Sequence, residues 1–116
     1  MAQVQCSHIL VKHTESRNPI SRRTQAQITM SKADGLEEIT TILEQLRQSS
    51  NLAAEFADIA RRRSDCGSFR NDGDLGAFGR GMMQKPFEDA SFELSVGEMS
   101  DIVDTDSGLH IILRTA

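Results

Sequence analysis

Tryptophan and tyrosine are absent from this sequence of 116 residues, and five phenylalanines are its only large aromatic side chains. A surface that binds single-stranded nucleic acid by stacking bases needs aromatic rings, so the composition argues against such a surface. It also excludes small modules that are built on tryptophan anchors. We therefore expect no nucleic acid partner.

Long apolar runs are also missing, and none approaches the roughly 18 residues that a membrane-spanning helix requires. Residues 1–5 have neither the basic nor the apolar region of a secretory signal peptide. The two cysteines, Cys6 and Cys66, stand far apart in a chain without such a signal, which makes free thiols the default. These features predict a protein without membrane contact that stays inside the cell, in the cytoplasm, the nucleus or both.

What is present fits a single globular domain over residues 1–116. Apolar residues make up 38% of the chain and charged residues 26%, which is typical of soluble domains. A chain of this length supports one hydrophobic core and leaves little for a second module. No internal repeat or low-complexity tract divides it.

The net charge of -4 is unevenly distributed along the chain. Residues 1–32 are basic on balance, whereas residues 86–116 carry one arginine and seven acids. Residues 14–31 show little periodicity and are predicted to form a long basic loop, and long loops in compact domains tend to be functional or disordered. A basic segment in an acidic protein points to a small anionic group as ligand, because an entire nucleic acid backbone would be repelled elsewhere.

Periodicity and capping residues predict the first strand and three helices. Alternation of side chains over residues 4–13 predicts a strand. Ser31 is suited to cap a helix that ends near residue 49, and Asn51 is suited to cap a second helix that ends with three arginines. Pro86 is suited to the first turn of a third helix, which Gly97 ends.

The rest of the chain predicts a turn-rich connection and two more strands. Residues 67–81 hold five of the eight glycines and one short apolar piece at 75–78. Residues 99–103 and 109–114 are predicted as strands that flank a turn. Strands at both ends with helices between them predict an α+β domain around a mainly antiparallel sheet.

Three kinds of chemistry receive little support from the residues. The glycine-rich stretch 73–81 lacks the order of a nucleotide-binding loop and has no Walker lysine. A covalent role for Cys66 is disfavoured, because the carboxylate of adjacent Asp65 opposes a thiolate and no oxyanion-hole signature accompanies it. Four residues have types that suit zinc but lack the paired spacing that sets ligand geometry: Cys6, His8, Cys66 and His110. We expect no metal and no cofactor.

Several stretches, taken together, resemble the parvulin family of peptidyl-prolyl cis/trans isomerases. They are CSHILVKH at 6–13, SDC at 64–66 with GDLGAF at 73–78, MQKPFEDA at 83–90 and TDSGLHII at 105–112. They occur in the family's order and span nearly the whole chain. The chain is most similar to the Pin-type subgroup, which acts on phosphoserine–proline and phosphothreonine–proline bonds. That subgroup often has an N-terminal WW domain, which these residues lack, so we expect the isomerase domain alone, as a monomer.

The resemblance implies a four-stranded antiparallel sheet surrounded by about four helices. It also implies roles for ten residues. Lys12 and Arg17 are expected to bind the substrate phosphate, and Gln84 to lie on the rim of the site. Leu75, Met83 and Phe87 are expected to hold the proline ring. A polar network beneath the reacting bond is expected from His8, Cys66, Ser107 and His110.

One departure from the family's pattern lies in the basic loop. The Pin-type phosphate site usually has two successive arginines, whereas Arg17 is followed here by Asn18. Arg22 or Arg23 could replace the missing guanidinium. Two alternatives stay open: a module that binds phosphorylated Ser/Thr-Pro segments with little turnover, and a parvulin that accepts acidic or neutral residues before proline.

Overall fold

The fold is one four-stranded sheet with helices on both faces, and the computed structural model describes residues 2–116. The elements along the chain are β1 (Gln3–Val11), α1 (Lys32–Arg47), α2 (Leu52–Arg63), a 3-10 helix (Gly67–Asn71), β2 (Asp74–Gly79), α3 (Lys85–Glu93), β3 (Val103–Thr105) and β4 (Gly108–Arg114). The strands pair antiparallel in the order β2-β1-β4-β3. The expected α+β class and four-stranded sheet are confirmed, with three α-helices and a 3-10 helix around the sheet.

The register of the two central strands brings the two expected site histidines to one face. His8 of β1 pairs with Ile112 of β4, and Leu10 pairs with His110. Because residues two apart on a strand share a face, His8 and His110 are diagonal neighbours across the strand pair.

Each face of the sheet has its own core. Helices α1 and α2 cover one face, where Ile9, Val11 and Ile111 pack against Leu43 and Phe56. Helix α3 covers the other face, and the apolar cluster there consists of Val4, Cys6, Phe78, Phe87, Leu94 and Ile112. The histidines lie on this second face, beside α3.

The predicted caps of the first two helices are confirmed. The Ser31 hydroxyl accepts a hydrogen bond from the Asp34 amide at 3.1 Å, and the Asn51 side chain accepts one from the Ala54 amide at 3.3 Å. These side chains satisfy amides that have no partner within the helix. Pro86 lies in the first turn of α3, as predicted.

Several predicted boundaries are wrong. The strand expected at 99–103 is absent, since β3 begins only at Val103 and Met99 forms an isolated bridge to Leu113. The Ser100 amide donates to the Ile112 carbonyl at 2.8 Å, but the Ile112 amide donates to the Ser100 hydroxyl at 2.9 Å instead of to a main-chain carbonyl. The regular ladder of main-chain bonds is therefore interrupted at Ser100. The apolar piece at 75–78 belongs to strand β2 rather than to a turn-rich connection, and α3 ends at residue 93 instead of 97. The first strand ends at residue 11 and α1 at residue 47.

None of the helices within residues 2–116 combines the length and the apolar character needed to cross a membrane.

Candidate active site

A buried pair of histidines lies at the centre of the α3 side of the sheet. The Nδ1 atoms of His8 and His110 are 3.0 Å apart, and Nε2 of His110 lies 2.7 Å from the Thr105 hydroxyl. Burial lowers the pKa of His8 to about 4. Burial, together with the neighbouring His8, lowers the pKa of His110 well below its ordinary value. Both rings are therefore neutral at physiological pH.

Hydrogen-bond counting fixes the direction of this network. The Thr105 hydroxyl accepts a hydrogen bond from the Ser107 amide at 3.1 Å and donates its own proton to Nε2 of His110. His110 then donates from Nδ1 to Nδ1 of His8, which carries its proton on Nε2. The reverse direction would leave two groups unsatisfied instead of one. The buried Nε2–H of His8 has no partner within the described chain, so the network ends in a free donor.

The residues expected to hold the proline ring lie together in the apolar cluster on this face. The Phe87 ring stands edge-on to His8 and His110, with centroid distances of 5.5 and 5.1 Å. Leu75 from β2 and Met83 from the β2–α3 connection are half-buried and pack against the same cluster. The histidines thus lie against the apolar surface of Leu75, Met83 and Phe87, which is called the apolar recess below because it is the expected site of the proline ring.

The expected rim residue connects α3 to the turn between β3 and β4. The Gln84 amide donates to the Ser107 hydroxyl at 2.8 Å and accepts from the Asp106 amide at 3.2 Å. Ser107 in turn donates its amide to Thr105, which binds His110. The rim, the turn and the histidine pair therefore form one hydrogen-bonded unit.

A cavity of about 350 Å³ shares Ser107 with this unit and is lined by five of the ten expected site residues. The other five do not line it: His8, Met83, Gln84, Phe87 and His110. Its lining contains three cationic side chains, and among the described residues no acidic side chain contributes to it. The lining residues are Leu10, Lys12, Arg17, Asn18, Arg22, Cys66, Gly67, Ser68, Leu75 and Ser107. An anion would meet only favourable charges here.

Lys12 has a second role that its position in the sequence does not reveal. Its ammonium is buried and donates to the carbonyl oxygens of Asn18 at 2.9 Å and Ile20 at 2.7 Å. Burial and the nearby charge of Arg22 lower the pKa of Lys12. One of the three ammonium N–H groups remains for a ligand, so Lys12 both shapes the basic loop and presents charge to the cavity.

The two arginines of the cavity are exposed. Arg17 is held through its amide, which donates to the Asp106 carbonyl at 2.7 Å, and the Arg22 amide donates to the Asp65 carbonyl at 2.9 Å. Within residues 2–116 neither guanidinium forms an ion pair. Two residues were considered as replacements for the missing arginine. Arg22 lines this cavity, whereas Arg23 lines a different one.

Asp65 positions the basic loop, a role not predicted from the sequence. Its buried carboxylate accepts the Lys12 amide at 3.0 Å, the Ser21 hydroxyl at 2.7 Å and an Arg63 guanidinium N–H at 3.1 Å. These bonds join β1, the loop and the end of α2. In the sequence Asp65 is visible only as an acid directly before Cys66, and nothing in the local pattern indicates that its carboxylate is buried.

Cys66 stands half-buried in the cavity wall, where its sulfur accepts the Ser68 amide at 3.5 Å. The buried Ser68 hydroxyl has no hydrogen-bond partner within the described residues. The four residues considered for zinc do not meet in one cluster: residues 2–116 contain no group of three or more His, Cys, Asp or Glu side chains placed to hold a metal ion.

A larger cavity of about 650 Å³ is lined by Gln84 and Thr105 of the same hydrogen-bonded unit. Its lining mixes both charges, and Lys32 there is paired with Asp104 at 2.7 Å. The smaller cavity is the stronger candidate, because five of the ten expected site residues line it, against Gln84 alone in the larger one, and because its charges have a single sign.

Comparison with known proteins decides the family. A model of the PPIC-type PPIase domain, also called rotamase, matches residues 8–116. The chain belongs to the PPIC-type peptidyl-prolyl isomerases, the parvulins. It is therefore an enzyme that interconverts cis and trans peptide bonds before proline, and the resemblance stated from the sequence is confirmed.

Relatives of the Pin type extend over the whole parvulin chain. The peptidyl-prolyl cis-trans isomerase NIMA-interacting 1 of Theileria annulata is 51% identical over 116 residues, covering all of this chain and 82% of the relative. Pin1 of Arabidopsis thaliana is 48% identical over 117 residues, covering 98% of this chain and 96% of the relative.

Solved parvulin structures agree with the fold. ESS1 from Candida albicans matches with a TM-score of 0.89 at 40% identity, over 98% of this chain and 63% of the other. The solution structure of TbPIN1 matches with a TM-score of 0.86 at 43% identity, over 98% and 97% of the two chains. The expected parvulin architecture is thus confirmed.

Proposed function

We propose that this parvulin acts on peptide bonds in which phosphoserine or phosphothreonine precedes proline. The observation that carries the proposal is the cavity next to Leu75, where the charges of Lys12, Arg17 and Arg22 meet without an acid among the described lining residues. A phosphate monoester carries a charge of about -1.5 to -2 at neutral pH and three acceptor oxygens. Two guanidinium groups and one ammonium N–H match both properties.

The position of the cations relative to the apolar recess supports the order of the substrate residues. Leu75 lines the cationic cavity and packs with Phe87 and Met83 in the apolar cluster. A substrate that places its proline ring in the recess therefore brings the preceding side chain to the cations. Anchoring on both sides of one peptide bond supplies the orientation that rotation about that bond needs.

The proposed mechanism is non-covalent. Rotation about the prolyl bond must break amide resonance, at a barrier of roughly 20 kcal/mol, but no bond is cleaved. The recess formed by Leu75, Met83 and Phe87 holds the ring while the carbonyl end turns, and each ~1.4 kcal/mol of preference for the twisted amide multiplies the rate tenfold.

In this mechanism the histidines act as positioning residues for the recess. His8 and His110 are neutral and hydrogen-bonded to each other, so they present a rigid wall without a charge. Ser107 and Gln84 hold the rim, and the Cys66 thiol contributes polarity to the wall rather than a covalent bond.

The test is a protease-coupled isomerisation assay on three peptides that differ only before proline: phosphothreonine, threonine and glutamate. We expect kcat/KM to be highest for the phosphopeptide. Arg17→Ala lowers it about tenfold for that peptide, because a charge-assisted hydrogen bond contributes about 1.5–3 kcal/mol. Arg62→Ala, which removes an exposed arginine paired with Asp58, is the matched control.

Equal acceleration of all three peptides would contradict the phosphate assignment and leave a parvulin that accepts acidic or neutral residues. Tight binding of the phosphopeptide without acceleration would indicate a binding module. An equal loss on phosphorylated and unphosphorylated peptides in Arg17→Ala would show that Arg17 supports the fold instead of the ligand.

A further inference from the structure

A second cationic cavity of about 330 Å³ continues from the first. The two cavities share Asn18, Arg22 and Gly67 in their linings. The second adds Arg70 from the 3-10 helix and the exposed side chain of Ile20. Within the described part of the chain its lining, like that of the first cavity, includes no acidic residue.

The charges of this second cavity are held in place but not neutralised. The Arg22 amide is fixed to the Asp65 carbonyl, and a Cβ added at Gly67 would lie 3.7 Å from Cδ of Arg22, so the aliphatic part of Arg22 runs beside the glycine. The Arg70 guanidinium lies over the Phe69 ring, 5.5 Å from its centroid.

Nearby arginines on α2 have a different environment. Arg61 pairs with Asp72 at 3.0 Å, and Arg62 pairs with Asp58 at 2.7 Å. Arg22 and Arg70 form no ion pair with any residue in the range 2–116. The protein thus neutralises the surface of α2 and leaves these two cations available to a ligand.

The two cavities together form a groove, and their linings show which end of it lies nearer to the proline recess. Leu75, which packs in the proline recess, lines the first cavity but not the second. If proline occupies the recess and the phosphorylated residue occupies the first cavity, the residues that precede it run toward the second.

We propose that Arg22 and Arg70 form a second anion subsite, which takes an acidic side chain preceding the phosphorylated residue. The shared chemistry is an anionic group, either a carboxylate or a second phosphate. This inference rests on the proposed phosphate specificity of the first cavity. It predicts that substrates with a run of acidic or multiply phosphorylated residues before the Ser/Thr-Pro step are preferred.

The experiment compares phosphothreonine–proline peptides of one length. The residues one to three positions before phosphothreonine are alanine, glutamate or phosphoserine, and a further peptide carries the same glutamates after proline. We expect kcat/KM to rise about two- to fivefold for upstream glutamate, the range for exposed charge pairs, and at least as much for upstream phosphoserine. Glutamate after proline gives no such gain.

The variants separate the subsite from a general charge effect. Arg70→Ala reduces the ratio between the upstream-acidic and the alanine peptide to near one, and Arg70→Glu reverses it. Arg62→Ala, with the same loss of charge on α2, leaves the ratio unchanged. A gain that persists in Arg70→Ala, or that is equal on both sides of proline, would overturn the inference.

The two proposals fail in different ways. Every peptide of this series carries the phosphothreonine, so the ratio isolates the upstream residues. Loss of the upstream gain with retained preference for phosphothreonine over threonine would refute only the second subsite. Loss of the phosphothreonine preference itself would refute the proposed function.

Discussion

The ammonium of Lys12 lies 2.9 Å from the carbonyl oxygen of Asn18, the residue that follows Arg17 where the resemblance leads us to expect a second arginine. A second bond to the Ile20 carbonyl completes the tether. A residue expected to bind phosphate therefore also determines the shape of the loop that presents Arg17 and Arg22. Loop geometry and ligand charge depend on the same side chain.

Lys12→Met should loosen the basic loop and also weaken binding of the phosphorylated substrate. The variant keeps most of the buried aliphatic chain but loses two charge-assisted hydrogen bonds of about 1.5–3 kcal/mol each, so we expect the free energy of unfolding to fall by about 3 kcal/mol or more. Chemical unfolding and limited proteolysis of residues 14–31 measure this. Arg17→Ala is the comparison: its side chain is exposed, so the stability stays and only phosphopeptide turnover falls. Equal stability of the two variants would contradict the tether.

Asp65→Asn should disturb the same loop, because the Asp65 carboxylate binds the Lys12 amide and the Ser21 hydroxyl. The carboxylate accepts three hydrogen bonds, whereas an amide must turn one of its N–H groups toward a donor. We expect a loss of about 3 kcal/mol in the free energy of unfolding, as for a broken buried charge pair, with reduced turnover of the phosphopeptide. Asp58→Asn, at an exposed pair on α2, should have a much smaller effect. Similar losses in both variants would argue against the buried role of Asp65.

The histidine pair should make the fold sensitive to mild acid. The folded-state pKa of His8 is about 4 and that of His110 is also lowered, so below about pH 6.5 the unfolded chain binds more protons than the folded one. The contribution of the neutral histidine pair to the free energy of unfolding is complete above pH 6.5 and is lost as the pH falls toward 4.

Between pH 7 and 5.5 the free energy of unfolding should fall by about 1 to 2.5 kcal/mol, as measured by denaturant titration at each pH. His8→Gln should lose about half of this dependence if it folds, and calorimetry on the unmodified chain should show proton uptake on unfolding at pH 5.5. A constant free energy over this interval would mean that the pair does not change its protonation on unfolding.

Cys66→Ala should retain isomerase activity within about tenfold, because in the proposed mechanism the thiol that lines the cavity does not attack the substrate. Removal of a true nucleophile costs far more, about 10⁴-fold or beyond. The measurement is kcat/KM on the phosphopeptide, with mass spectrometry of the wild-type enzyme under turnover to look for an adduct. A loss of that larger size, or an adduct on Cys66, would contradict the non-covalent mechanism.

Gly73→Ala should be far more harmful than Gly97→Ala, although both glycines have φ of 87°. A Cβ at Gly73 would lie 2.6 Å from the His8 carbonyl oxygen and 2.9 Å from Cβ of Ala60, whereas nothing lies within 4 Å at Gly97.

Both substitutions incur about 1–2 kcal/mol of left-handed strain, and Gly73→Ala adds the displacement of β1 at His8. We expect its thermal unfolding temperature to drop further and its isomerase activity to fall with it. Equal shifts in the two melting temperatures would show that the contact at His8 relaxes without cost.

Much of the secondary structure could be predicted from local chemistry. Ser31, Asn51 and Pro86 act within one helical turn, so capping and the first turn of α3 follow from nearest neighbours alone. Residues 99–103 could not be placed in this way. Their pairing with β4 was decided by the Ser100 hydroxyl, which bonds to the Ile112 amide where a main-chain carbonyl would do so in a regular strand, and no local pattern encodes that competition.

The sequence by itself determined the family and the residue types of the site. Each of the motif stretches, like the basic loop, is a short run of residues that can be read directly along the chain. Only the tertiary structure decided which charges act together. The β1–β4 register joins His8 to His110, and the Asp65 carbonyl holds the main chain of Arg22, which lines the cavity with Arg17 while Arg23 lines another. Arg22 and Arg23 are neighbours with the same side chain, and the sequence alone could not separate their roles, because the residue that holds the Arg22 main chain, Asp65, is far away in the chain.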